Sequence, residues 1–137
     1  MTATTTDLLL DYPARYFAAW NQRDLDAALT VVAETVYWQD PSLSAPITDH
    51  QGAAGFPDLE FIAVGEPPAD PANNRVTQEW RLIGTHTGQG FPPGVPATGN
   101  AFDVAGMDVW QVDADGCAVA VHAYGSPLAL LTQLGLA

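Results

Sequence analysis

Basic residues are the scarcest chemistry in this chain. Four arginines and no lysine stand against 16 Asp and Glu, a net charge of −12 over 137 residues. With no basic patch to neutralise phosphates, nucleic acid and anionic membranes are not expected partners; the simplest use of the charge is solubility through self-repulsion. Cysteine is nearly missing too. Cys117 is alone, which excludes an intrachain disulfide and a cysteine zinc site. Met1 to Asp7 lack the charged and apolar regions of a signal peptide, and no run approaches membrane-spanning length. A soluble cytoplasmic protein is the expectation. What the chain does have is apolar residues: 47% hydrophobic against 15% charged, a globular composition. The length suits a single domain over 1–137 with one core, and there are no internal repeats or linkers.

Residues 1–6 are Thr-rich and expected to fray. From Asp7 to Asn21, Leu9, Tyr12, Tyr16, Phe17 and Trp20 recur at three- and four-residue steps and mark an amphipathic helix. Pro13 predicts a kink there or a start near Tyr12. Asp24 is a suitable N-cap for a second helix through Glu34. Val36–Asp40 reads as a short strand, followed by a Ser-, Pro- and Gly-rich loop over Pro41–Pro57. Leu59–Val64 reads as a strand, Gly65–Asn74 as a turn region and Arg75–Thr87 as a longer strand, with Val76, Trp80, Leu82 and His86 on its covered face. After a Gly/Pro loop over Gly88–Asn100 come strands Ala101–Val112 and Ala118–Gly125, joined by a hairpin at Asp113-Ala114-Asp115-Gly116. Leu128–Leu134 is a closing helix ended by Gly135. Helices followed by strands predict an α+β fold. A curved antiparallel sheet would wrap two or three helices and enclose a conical cavity.

Three polar groups fall on otherwise apolar inward rows. Asp40 shares strand parity with Val36 and Trp38, and Pro41 then stops the ladder. Such an aspartate is either a candidate acid or base or a simple turn former. Asp108 is the only charged residue in the row Phe102, Val104, Gly106, Asp108, Trp110, Val112. Either the strand bulges at Gly106 and the carboxyl is solvated, or desolvation raises its pKa and makes it a hydrogen-bond donor. Tyr16 lies on the inward helical stripe, as core packing or as a catalytic acid. His50, His86 and His122 are too scattered for a metal motif. No phosphate loop, GxSxG or Cys/His nucleophile pattern is present in the sequence.

Several short motifs together resemble the SnoaL-like polyketide cyclases: Gly84-Thr85-His86-Thr87-Gly88, Pro96-Ala97-Thr98-Gly99, Asp108-Val109-Trp110 and Leu130-Leu131-Thr132-Gln133-Leu134-Gly135. Ala14-Arg15-Tyr16, Asp40-Pro41, Asp108 and Ala123-Tyr124 are similar to the ketosteroid isomerases. Both families belong to the nuclear-transport-factor-like superfamily of cone-shaped α+β folds. The resemblance implies a cofactor-independent, metal-free cyclase or isomerase for a hydrophobic polyketide- or steroid-like carbonyl compound, with antibiotic biosynthesis as a setting. Asp40 matches the general base, and Tyr16 and Asp108 match the pair that hydrogen-bonds the enolate oxygen. Trp38, Trp80, His86, Trp110 and His122 are the expected substrate-contacting side chains. Two departures from the families stand out. After Gly52 the chain reaches Phe56-Pro57 where the families carry a further helix, and Val119 to Pro127 contains no carboxylate where the cyclases place one. The alternative is therefore a non-catalytic binder or accessory protein using the same cone. An epoxide-opening enzyme would need an Asp–Arg–Asp set, and Arg81 falls on the polar face of its strand. Ala105, Met107 and Val109 form an apolar second face on their strand and predict a sheet-to-sheet homodimer.

Overall fold

The computed structural model describes residues 5–22, 25–40, 48, 60–86 and 96–136. The expected loop over Pro41–Pro57 and the missing-helix segment after Gly52 therefore lie outside the described residues, apart from Thr48. Helix α1 spans Thr5–Asn21 and helix α2 Leu25–Leu29. The strands are β1 (Val32–Gln39), β2 (Glu60–Val64), β3 (Ala69–Asp70), β4 (Arg75–Thr85), β5 (Ala101–Val112) and β6 (Ala118–Gly125). Helix α3 (Pro127–Gln133) closes the order. The sheet runs β1-β6-β5-β4-β2, with β3 on the other end of β4. All pairings are antiparallel except β1 with β6, so the curved sheet is mixed.

Three boundaries differ from the sequence reading. Helix α1 passes through Pro13 as one helix; the lost N–H bond is offset by burial of Leu9, Tyr12, Tyr16 and Phe17 on one stripe. Helix α2 ends at Leu29 and β1 starts at Val32, well before Glu34. The β-branched Val31-Val32 pair favours a strand, and both valines are buried. The region expected as turns holds β3 and a 3-10 turn at Pro71–Asn73 that ends in Asn74 with φ 53°.

The core forms where the α1 stripe meets the sheet's inner face. Tyr12 is fully buried and donates its hydroxyl to the Val31 carbonyl at 2.5 Å. Arg15 reaches over the Tyr12 ring and donates to the Gly116 carbonyl at 2.6 Å. That carbonyl belongs to the predicted hairpin, in which Asp113 Oδ1 accepts from the Asp115 and Cys117 N–H groups and Gly116 adopts φ +79°. Two carboxamides finish the sheet edges. Asn21 pairs through both side-chain atoms with the Phe61 backbone of β2. Gln133 does the same for Asp103 of β5, where β6 has ended and α3 takes its place. Each satisfies a backbone pair that would otherwise be an open edge.

Candidate functional site

The β4–β5 register runs unbroken from Arg75↔Gln111 to Thr85↔Ala101. There is no bulge at Gly106, and strict alternation turns Phe102, Asp108, Trp110 and Val112 inward. Asp108 is 3% exposed, so the solvated reading of this residue is excluded. Gly106 carries the Trp80 ring: a Cβ there would overlap both the indole and the Tyr124 carbonyl. A glycine is required by that close approach.

Asp108 sits between Gln78 of β4 and Ala123 of β6. On the next row, Trp110 opposes Val121, which opposes Trp38 of β1. Continuing the parallel β1–β6 register by one residue sets Asp40 beside Ala123. Asp40 and Asp108 thus lie on one cross-sheet row with β6 between them, backbones roughly 10 Å apart. Asp40 is half-buried at the end of β1.

Electrostatics tie these groups together. Burial pushes the Asp108 carboxyl up from 3.8 to about 7; the nearby Trp80 indole N–H opposes the shift and the Asp40 charge adds to it. The Tyr16 phenol is held well above its ordinary value, first by burial, then by Asp108 and Tyr12, with Asp40 adding and Trp20 opposing. Near pH 7 the site therefore combines a neutral phenol with a carboxyl poised between its two forms, and Asp40 stands beside both. That combination supplies hydrogen-bond donors and a proton acceptor within an apolar wall.

Aromatic rings build the wall. Tyr16 is its hub, with the Trp110 ring at 5.0 Å, Phe17 at 5.9 Å, Trp20 at 6.1 Å and Trp38 at 6.2 Å between centroids. Phe61 stands edge-on to Trp80 at 5.5 Å. Two surface grooves among the described residues lie outside this cone. The larger, about 260 Å³, is a groove on the outer sheet face bordered by Arg75, Val109, Gln111, Ala120, His122 and Tyr124.

Of the eight expected site residues, six share the inner space: Tyr16, Trp38, Asp40, Trp80, Asp108 and Trp110. His86 is buried just past β4, not within it. Its Nδ1 accepts from the Thr98 N–H at 3.1 Å and lies 3.0 Å from the Thr98 hydroxyl. It anchors the segment leading into β5, and the accepting Nδ1 assigns the ring proton to Nε2. His122 is not with the others. It opposes Val109 and Gln39 on the outer face and packs against Tyr37, centroids 5.6 Å apart. A register shift between Gln111 and Val112 changes the parity of β6, so Ala118 and Val121 both turn inward and His122 turns out. Gln78 was missed. It is 2% exposed and directly opposite Asp108, with its amide nitrogen donating to the Val64 carbonyl at 2.9 Å. Its even position between Val76 and Trp80 was the available signal. Among the described residues no group of His, Cys, Asp and Glu could hold a metal ion.

A family model for the SnoaL-like domain matches residues 14–121, more than three quarters of the chain. The chain belongs to the SnoaL-like family. Solved structures agree on the fold. A candidate polyketide cyclase from Xanthomonas campestris pv. campestris superposes with a TM-score of 0.80 at 22% identity, covering 96% of this chain and 99% of that one. A candidate SnoaL-like polyketide cyclase from Jannaschia sp. CCS1 gives 0.78 at 20% identity, covering 100% and 98%. IdmH from Streptomyces antibioticus, also a candidate polyketide cyclase, gives 0.70 at 22% identity, covering 97% and 99%. No curated protein sequence matches the chain. At these identities the likeness shows the SnoaL-like cone and leaves the chemistry to this chain's own residues. No helix among the described residues is long and apolar enough to cross a membrane.

Proposed function

We propose that this SnoaL-like protein is a cofactor-independent cyclase or isomerase that moves a proton on carbon next to a carbonyl. The substrate is a hydrophobic, polyketide-like or steroid-like compound. The observation that carries this reading is the buried Asp108, poised near pH 7 on an aromatic wall and coupled to both Tyr16 and Asp40. Asp40 takes the proton from the carbon. Tyr16 and protonated Asp108 donate to the oxygen on which negative charge develops, and the low-dielectric wall strengthens both bonds. Trp38, Trp80 and Trp110 supply apolar contact to the rings of the substrate, and His86 holds the segment entering β5.

The test is exchange of the α-protons of 1-tetralone in D2O, followed by NMR. The wild type is expected to accelerate exchange over buffer. Asp40→Asn should lower that acceleration by about 10²–10⁴-fold with the circular dichroism spectrum unchanged. Exchange no faster than buffer with the wild type, or undiminished in the variant, would overturn the assignment.

A second reading, a binding or accessory protein, is favoured by the lack of any carboxylate over Val119–Pro127, where the resembling cyclases carry one. It predicts retained ligand binding without exchange. The outer face also fits a homodimer in either case: Met107, Tyr37 and Tyr124 stand 37%, 42% and 58% exposed beside Ala105 and Val109. Equilibrium sedimentation should give twice the chain mass at micromolar concentration; a monomer there would remove the dimer.

A further inference from the structure

Three polar atoms on the inner face of β4 and β5 are buried without a hydrogen bond: the indole Nε1 of Trp80, the indole Nε1 of Trp110 and Oδ1 of Asp108. Their residues are 7%, 0% and 3% exposed. Such groups are rare in folded proteins, because each has given up water and gained nothing. Here all three belong to one patch. Asp108 and Trp110 are neighbours on the same face of β5, and Trp80 opposes Gly106, the next residue of that face on the other side of Asp108. Along the strand the order is indole, carboxyl, indole. The Trp80 indole comes near enough to Asp108 to favour its charged form, but not in regular hydrogen-bond geometry.

Packing alone does not call for this arrangement. A phenylalanine at either tryptophan position would keep an aromatic ring against Phe61 or Tyr16 and leave no orphan donor. Indole N–H groups only donate, so what they lack is an acceptor. Their places on the sheet, one at the Gly106 row and one two rows further along β5, are roughly 13 Å apart measured along the strand. Each of the two donors therefore calls for an acceptor of its own.

We infer that the indole N–H groups of Trp80 and Trp110 are ligand-binding donors, and that with Asp108 between them they select a flat ring system bearing at least two oxygen functions. The inference rests on the inner face being the ligand site, as in the proposed function, and adds which groups read the ligand's oxygens. Asp108 completes the set as acceptor for a ligand hydroxyl when ionised and as donor to a ligand carbonyl when protonated. The surrounding rings of Tyr16, Phe61 and Trp38 stack on the ligand without discriminating among its substituents.

The probes are 2-methylnaphthalene, 2-naphthol and 2,6-dihydroxynaphthalene, which have similar shape and carry no, one and two oxygens. Isothermal titration of the full chain should rank them in that order of increasing affinity, with about tenfold gained per oxygen. Trp80→Phe and Trp110→Phe should each cost the dihydroxy probe about tenfold and leave 2-methylnaphthalene unchanged. A purely structural tryptophan would weaken all three probes alike. Should either variant fail to fold, 3-benzothienylalanine at the same position removes the N–H while keeping the indole's shape. Equal affinities for the three probes, no binding of any, or parallel losses in the variants overturn the inference and leave ordered water as the partner of these atoms. Asp40→Asn should preserve the preference for two oxygens while abolishing exchange, so failure of the catalytic reading and failure of this one are separable.

Discussion

Asp108→Asn isolates the consequence of burying a carboxyl on the inner face of β5. The carboxyl moves from 3.8 to about 7 on folding, chiefly through desolvation. Because the folded protein holds the proton more tightly than the unfolded chain, the contribution of Asp108 to stability is greatest below pH 3.8. It is lost progressively as pH rises from 3.8 to about 7 and is constant above that. The full difference corresponds to about 4 kcal/mol, with a slope of about 1.4 kcal/mol per pH unit. That figure is a ceiling, since water entering around a buried charge lowers its cost. Asparagine has nearly the same volume, keeps an N–H donor for the oxygen site and does not titrate. Urea denaturation of both proteins at pH 4.5, 6, 7 and 8 is the assay. The wild type should lose stability relative to Asp108→Asn by about 2–4 kcal/mol between the first and third of these, and only about 0.4 kcal/mol more by pH 8. Taking the difference removes every other titrating group, including the exposed Asp70, which is shifted the opposite way by Asn73 and Arg75. A difference that stays constant from pH 4.5 to 8 would refute the claim that Asp108 is buried in its neutral form.

The same titration should govern activity: α-proton exchange should fall as pH rises through about 7, while Tyr16 keeps its proton, and Asp108→Asn should remove that limb of the profile. Gly106→Ala should destabilise by about 1–3 kcal/mol in urea denaturation, because its Cβ would overlap the Trp80 ring and the Tyr124 carbonyl; a stability equal to the wild type would show that the ring moves freely. Arg15→Ala should cost about 1 kcal/mol through its bond to the Gly116 carbonyl, with tetralone exchange unaltered. Tyr16→Phe should slow exchange about 10²-fold or more while leaving urea stability within about 1 kcal/mol, since the ring contacts survive.

How much could be read beforehand depended on how local the cause was. Strands β5 and β6 are legible to the residue because the Gly/Pro loop before β5 marks its start and the Asp113–Gly116 turn between them carries its own bonding pattern. The same parity puts Asp108 on the inward row but leaves open a bulge at Gly106, which the unbroken β4–β5 register removes. Helix α2 is shorter than its sequence suggests because Leu25, Ala28, Leu29 and Val32 fit a helical period as well as the observed helix, turn and strand; only branching at Val31-Val32 distinguishes them. The parallel pairing of β1 with β6 joins residues some eighty positions apart and leaves no local mark. The expectation that His122 contacts substrate fails because its orientation depends on a one-residue shift between Gln111 and Val112 that is fixed by the neighbouring strand. Gln78 was passed over because it interrupts an apolar row.

That interruption is part of a pattern. Over most of the molecule, local rule and tertiary position agree: apolar stripes are buried, Asn21 and Gln133 pair with exposed backbone, and Asp113 closes its turn. They disagree along one cross-sheet row, where Gln78, Asp108 and Asp40 interrupt inward-facing apolar positions, and at the tryptophans whose N–H groups have no acceptor. Gln78 is compensated by bonds to backbone carbonyls. Oδ1 of Asp108 and the indoles of Trp80 and Trp110 are not, and a core filled with valine, leucine and phenylalanine at those positions would avoid the desolvation cost. Departures from local consistency concentrate at functional sites, where stability is given up for chemistry. The uncompensated groups here lie together and lie beside Asp40 and Tyr16, the base and an oxygen-binding donor of the proposed reaction. A cone kept only as a scaffold would have no reason to collect its unsatisfied groups at that one place.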